Sequence, residues 1–339
     1  MACAAGGRRL GGEKMNKIWI CFATAILLGS VLTLLPAPVF AAKIGCGSII
    51  IKSTTLKANI GPCPGNGLVI GHSGITLNCA GHTISGSGSG TPYYGINLTG
   101  MSNDIVENCN VSGFYYGLIL SIASSNTLTK NTANSNTVYG FVLFSSSGNK
   151  LVTNTANNNG YQGFSILSSP NNKLTSNMES GSYVGFHIYS SSGNTLAKNT
   201  ASGNYYDGFY LDSTSGDTLT KNTVSSNSVG IVLFDSSSNK FNGNIVNSND
   251  NGFIFFSSSS NTLTKNTASS NGGYGFELTD LSSNNKLTSN TANSNSNYGY
   301  FDDTIGSGTA GTANAYSLDE CSGNLVGGST PTGLCTPQS

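Results

Sequence analysis

Near the middle of the chain, Asp207 and Asp212 bracket the stretch Gly208-Phe209-Tyr210-Leu211, and His187 falls one repeat earlier in the column of Tyr210. Paired carboxylates about 5–9.5 Å apart act as acid and base in glycoside cleavage. His187, Asp207 and Asp212 are therefore the catalytic candidates. The other acids of this half, Asp217, Asp235, Asp250, Glu277 and Asp280, are scattered in the manner of a solvated surface.

The aromatics suggest a second kind of chemistry. Side chains alternate along a strand, so if Phe141 and Leu143 point inward, Val142 and Phe144 point outward. The resulting outward column reads Phe144, Leu167, Tyr189, Asp212, Phe234, Phe256. Tyr94, Tyr116, Tyr139, Tyr274 and Tyr298 precede a recurring glycine, with Tyr161, Tyr183 and Tyr206 one place earlier. An apolar strip edged by tyrosines suits sugar rings or a protein partner. Phe144, Tyr189, Tyr210, Phe234 and Phe256 are the carbohydrate-binding candidates. Lysines recur too: Lys130, Lys198, Lys221 and Lys265 directly precede a column asparagine, and Lys150, Lys173, Lys240 and Lys286 precede a column leucine or phenylalanine. They could attract an acidic polysaccharide, or serve solubility and guard against sheet association.

These residues ride on a repeat. Asparagines stand at 78, 108, 131, 154, 177, 199, 222, 244, 266 and 290, with steps of 22 to 24 residues after a first step of 30. Glycines at 95, 117, 140, 163, 185, 208, 230, 252, 275 and 299 keep phase with them. Periods of this size mark solenoids. The apolar stretches are too short for helices, and Asn, Gly and Ser interrupt every turn. The reading is a single-stranded, right-handed parallel β-helix of ten or more coils. Ten stacked asparagines imply a rod of about 43 Å over this region at ~4.8 Å per coil. Their amides would stack as a ladder, and asparagine also tolerates left-handed backbone at turns. A leucine-rich repeat shares the period, but T-A-N-S-N-T supplies too little apolar sequence for its convex side.

Composition narrows the class further. Only 9% of the 339 residues are charged, and Gly numbers 44. From Ala42 onward there is no Arg and no Trp, and 11 Lys face 14 Asp plus Glu. Without a basic surface of any extent overall, a nucleic-acid partner is not expected. Met15-Asn16-Lys17, the apolar run Ile18–Leu35 and Val39-Phe40-Ala41 read as a signal peptide cleaved after Ala41, preceded by an upstream extension. No stable membrane insertion is expected after cleavage, and the protein is expected to be secreted, periplasmic or at the cell surface. Six cysteines remain: Cys46, Cys63, Cys79, Cys109, Cys321 and Cys335. An even number in an exported chain suggests disulfides. Cys79 and Cys109 occupy equivalent places in successive repeats, while the Cys46/Cys63 and Cys321/Cys335 pairs would close short end loops. The expected organisation is 1–41 extension and signal, 42–74 N-terminal cap and first coil, 75–303 β-helix, and 304–339 C-terminal coil or cap.

From Ile75 to Phe301, and in the entry segment Gly67-Leu68-Val69-Ile70 through Gly81-His82-Thr83-Ile84, the chain resembles the pectin-lyase-like β-helix proteins. Within that superfamily it is similar to the NosD-like copper-accessory proteins and to the carbohydrate-binding proteins and sugar hydrolases. The resemblance implies the fold; the fold hosts many functions. Of the motifs that enzymes of this superfamily use, only an Asp302-Asp303 pair is present, and the lyase arginine is missing. Copper would want clustered soft donors, whereas His72, His82, His187, Met101 and Met178 are dispersed. No metal site and no cofactor are expected. The leading expectation is a non-catalytic polysaccharide-binding or cell-surface module. The alternatives are an accessory protein acting through protein partners, or a polysaccharide lyase, hydrolase or epimerase with an atypical site.

Overall fold

The computed structural model describes residues 43–88, 90–279 and 281–336. The expected signal segment, Cys3, Cys21 and Asp280 lie outside them. The chain is an all-β parallel solenoid of about 11 turns, the right-handed β-helix that the repeat predicts. Sheets of thirteen, twelve and nine strands run its length, and every strand pairs in parallel with its equivalents one coil away. The one helical piece among the described residues is a 3-10 turn at Thr309–Gly311.

One coil shows why the sequence folds this way. Thr127–Thr129 enters the twelve-stranded sheet, Thr132–Ala133 the nine-stranded sheet, and Tyr139–Phe144 the thirteen-stranded sheet. Leu128, Ala133, Phe141 and Leu143 point inward and are buried. Small residues on one wall leave room for phenylalanines from another. Phe141, Phe164, Phe186 and Phe209 stack with centroids 4.6–4.9 Å apart. The glycine column marks a tight corner: a Cβ on Gly140 would lie 2.6 Å from Gly163 O and 2.9 Å from the Ala156 methyl.

The asparagine column is an amide ladder with a different N-terminal end from the one expected. Asn199 is typical: its side-chain amide donates to Leu174 O and Asn222 Oδ1, and its Oδ1 accepts from both nitrogens of Asn177. Going toward the N-terminus, Asn131 Oδ1 accepts from Cys109 N–H, not from Asn108. The Cys79–Cys109 disulfide takes over at this point, and Asn78 and Asn108 bond each other outside the ladder. At the other end Asp319 continues it by accepting from Asn290. The left-handed residue is also displaced from expectation. It is the residue before the ladder asparagine, such as Lys130 or Thr153.

Two further ladders run alongside. One passes through Asn126, Asn149, Asn172, Asn194, Asp217, Asn239 and Asn261. The other includes Asn136, Asn159, Ser182, Asn204 and Asn227. Buried amides in register satisfy the backbone at each corner, which an all-apolar coil could not do.

The ends are stapled by Cys46–Cys63 and Cys321–Cys335. Ala315–Ser317 and Gly327–Thr330 add strands to the twelve- and thirteen-stranded sheets, so this segment continues the coil. Asp302 serves that turn: it is buried and accepts from Thr304, Asn314 and Tyr316.

Candidate functional site

The outer face of the thirteen-stranded sheet carries three rows in register. The middle row runs Ile119, Val142, Ser165, His187, Tyr210, Val232, Ile254 and Glu277. The expected outward strip is therefore a groove. Val142 points outward yet is only 3% exposed, because the flanking rows cover it, and with Ile119, Val232 and Ile254 it lies outside the main core cluster. One wall is the row Phe144, Leu167, Tyr189, Asp212, Phe234, Phe256. Phe144 is 48% exposed, Tyr189 and Phe234 42%, and Phe256 40%.

The other wall begins as a tyrosine ladder. Tyr94 stacks on Tyr116 at 5.2 Å and Tyr116 on Tyr139 at 5.3 Å. The series continues edge-on to Tyr161 and then through Tyr183 to Tyr205 and Tyr206. Between the walls lies a cleft of 370 Å³ lined by Tyr94, Tyr116, Tyr139, Ile119, Val142, Phe144 and Leu167 among others. Tyrosine faces over an aliphatic floor offer apolar area with polar hydroxyl edges.

The cleft leads into a polar centre. Gln162 replaces the wall tyrosine and Ser165 the floor valine. Both are buried. The Gln162 amide donates to His187 Nδ1 at 2.8 Å, which leaves the ring proton on Nε2. Gln162 Oε1, Ser165 Oγ and His187 Nε2 have no protein partner. His187 stacks on Tyr210, 5.1 Å between centroids, and Tyr189 lies 6.1 Å away. Burial holds the His187 imidazole down at about 4, against a smaller upward pull from Asp212. Burial pushes Asp207 up to about 7. It also pushes Tyr210 up to about 12, reinforced by Asp212 and Asp207.

The structure thus brings His187, Tyr210 and Asp212 together. Asp207 and Asp212 occupy opposite ends of the strand Asp207–Asp212, roughly 16 Å between Cα atoms at ~3.3 Å per residue. They face each other across the groove. Phe234 and Phe256 lie farther along the same wall. Gln162 and Ser165 were not singled out from sequence; their signal is a polar interruption of two otherwise aromatic or apolar columns. The lysines do not edge this groove. They lie on the twelve-stranded sheet and its following turn, so aromatic strip and lysines are separate surfaces.

Copper is the ligand that the family resemblance raises, and the residues do not fit it. His72 Nδ1 is bonded to Ser73 O, His82 Nδ1 contacts Asn59 Oδ1, and His187 Nδ1 accepts from Gln162. Met101 accepts from Ser73, while Met178 lies on the nine-stranded sheet. All six cysteines described are disulfide-bonded. Among the described residues no group of three His, Cys, Asp or Glu is placed to share one ion.

Among solved structures the chain is similar to the A-module of mannuronan C-5 epimerase AlgE6 of Azotobacter vinelandii. The identity is 16%, covering 84% of this chain and 81% of that one, with a TM-score of 0.55. The A-module of epimerase AlgE4 from the same organism matches at 15% identity over 87% and 89%, TM-score 0.52. A mutant of the periplasmic alginate epimerase AlgG matches at 14% over 78% and 76%, TM-score 0.53. At such identities the likeness establishes the fold. No match is found among curated proteins. The family model described as periplasmic copper-binding protein (NosD) matches residues 43–205 and 168–316, nearly the whole solenoid, and the chain belongs to that family.

Proposed function

We propose that this is an exported protein that binds a polysaccharide along the groove of its thirteen-stranded sheet, without cleaving it. The observation that carries this reading is the tyrosine ladder facing Phe144 and Leu167 across an aliphatic floor. Stacked rings spaced by one coil offer a repeating platform to a repeating polymer, and the tyrosine hydroxyls at its edges offer hydrogen bonds to sugar hydroxyls. Three disulfides suit an oxidising compartment. Among the described residues no helix is long and apolar enough to cross a membrane.

A second reading is favoured by one observation: His187, Tyr210 and Asp212 meet in a partly desolvated centre with Asp207 across the groove, and burial shifts the protonation of His187, Tyr210 and Asp207, the sort of place where acid–base chemistry is found. In that reading the protein is a lyase, hydrolase or epimerase. A third, an accessory role through protein partners, would use the same apolar groove.

The test is to incubate the exported protein with neutral and acidic polysaccharides, following retention and newly formed chain ends together, with C-5 configuration checked by proton NMR. Retention without new ends or epimerised sugars supports binding alone. New ends or epimers replace it with the catalytic reading and put Asp207, Asp212 and His187 first for substitution. No retention and no product overturns both and leaves the accessory role.

A further inference from the structure

The twelve-stranded sheet carries a second ordered surface, away from the groove. Each of eight successive coils presents one lysine there, never two and never none. Lys150, Lys173, Lys240 and Lys286 open their strands. The other four coils open on Thr127, Thr195, Thr218 and Thr262. In those coils the lysine stands three residues later, on the turn: Lys130, Lys198, Lys221 and Lys265. All eight are exposed.

Two features separate this from a merely solvated face. The turn lysines have φ of 53–56°, left-handed backbone that favours glycine, and lysine occupies that position only where the strand begins with threonine. The charge is shifted between two tracks so that every coil keeps one. No Asp or Glu falls within the strands that these eight coils give to the twelve-stranded sheet. Of the acids in the turns that lead into them, Asp217 is buried in the corner ladder and Asp235 stands five residues before Lys240, while Asp207, Asp212 and Glu277 belong to the thirteen-stranded sheet. Nor do the lysines guard a sheet edge, where charge would block strand pairing, because they stand on the face along its length.

We propose that this lysine row binds a linear acidic polysaccharide, one anionic sugar against each coil. The charges zigzag between the two tracks over seven steps along the rod, about 34 Å at ~4.8 Å per coil, which matches an extended polyanion better than a compact anion. The face around them is built from Thr, Ser, Ala, Val and Asn. It offers no aromatic ring for a nucleobase to stack on, so an acidic glycan fits and a single-stranded nucleic acid does not. The proposal stands on a different face from the groove and does not depend on it.

The exported protein would be titrated with polygalacturonate, dextran and oligo-dT at about 50 to 500 mM salt, where counterion release gives log affinity a linear dependence on log salt. Polygalacturonate should bind at low salt and be released at high salt, with dextran unaffected by the same lysines. Lys173→Gln, Lys198→Gln, Lys221→Gln and Lys240→Gln combined should weaken it by at least about tenfold and flatten the salt slope. Replacing Lys43, Lys52 and Lys57 should not. Should the fourfold variant fail to fold, as read by circular dichroism, Lys198→Gln with Lys221→Gln should still weaken binding and lower the slope. Tyr189→Ala with Phe234→Ala should leave this binding intact, which separates it from the groove. The proposal is overturned if polygalacturonate is not bound, if the folded lysine variant binds as tightly as the parent, or if oligo-dT binds equally well.

Discussion

The imidazole of His187 lies flat on the ring of Tyr210, 8° from parallel, while the Gln162 amide fixes its Nδ1 from the neighbouring coil. The ring is therefore held neutral as the Nε2–H tautomer. Nitrogen-detected NMR of the histidines should show one ring titrating near 4, well below an ordinary histidine. Asp212 is the group that pulls it upward, so Asp212→Asn should move the midpoint lower still. A midpoint near 6.5, or no response to Asp212→Asn, would contradict this arrangement.

If the groove holds a glycan, its exposed wall should matter more for binding than for folding. Tyr189 and Phe234 are 42% exposed on that wall, so their replacement by alanine removes contact area and leaves the core phenylalanine stack untouched. We expect the double variant to lose roughly 1–3 kcal/mol of binding, about 5- to 150-fold in affinity, with a thermal midpoint within a few degrees of the parent. Calorimetric titration with the retained polysaccharide is the measurement. Unchanged affinity would remove the wall from the site.

The inner ladder should respond in the opposite way. Asn199→Ala removes the acceptor for both nitrogens of Asn177 and the donor to Leu174 O. Stranding buried polar groups costs about 1–3 kcal/mol each. We expect about 3 kcal/mol of lost stability by urea unfolding. In a solenoid each coil touches only its neighbours, so amide exchange should accelerate most around Asn177 and Asn222.

How much of this was readable in advance follows from what each residue touches. Asn199 and its column were legible because a buried amide tolerates few substitutes, so its type recurs on the coil period. Asn126 and Asn136 belong to ladders that keep the same coil period, but they sit among Ser, Thr and Asn that look like ordinary turn sequence. The passage from Asn131 to Cys109 was hidden because the disulfide replaces the amide contact, shifting the column by one place. Alternation told which way Val142 points but not that its neighbours close over it. Gln162 and Ser165 acquire meaning only once register sets them beside His187. The candidate acids were visible as residue types; that Asp212 joins His187 while Asp207 stands across the groove depends on strand length.

Glu179 gives the most discriminating prediction on stability. It sits 1% exposed in the column otherwise held by Ala156 and Ala201, and Ser182 takes the place of a ladder asparagine beside it. Burial raises its carboxyl from 4.5 to about 7, with Ser182 and Asn204 pulling partly back. A carboxyl raised in the folded state binds its proton more tightly there than in the unfolded chain. Its contribution to stability is therefore greatest at low pH and is lost as pH rises from about 4.5 to about 7, a loss of order 3 kcal/mol. Asp207, at about 7, and Asp217 and Asp319, at about 6, act in the same direction. His187 opposes them, since an imidazole lowered to about 4 loses stability as pH falls from 6.5. With four carboxyls against one imidazole, the folded protein should be more stable near pH 5 than near pH 8. Glu179→Gln keeps the shape without the charge, so it should be stabilising at pH 8, nearly neutral at pH 4, and should flatten the slope between. Equal destabilisation by Glu179→Gln at both pH values would show that the carboxyl is not protonated in the folded core.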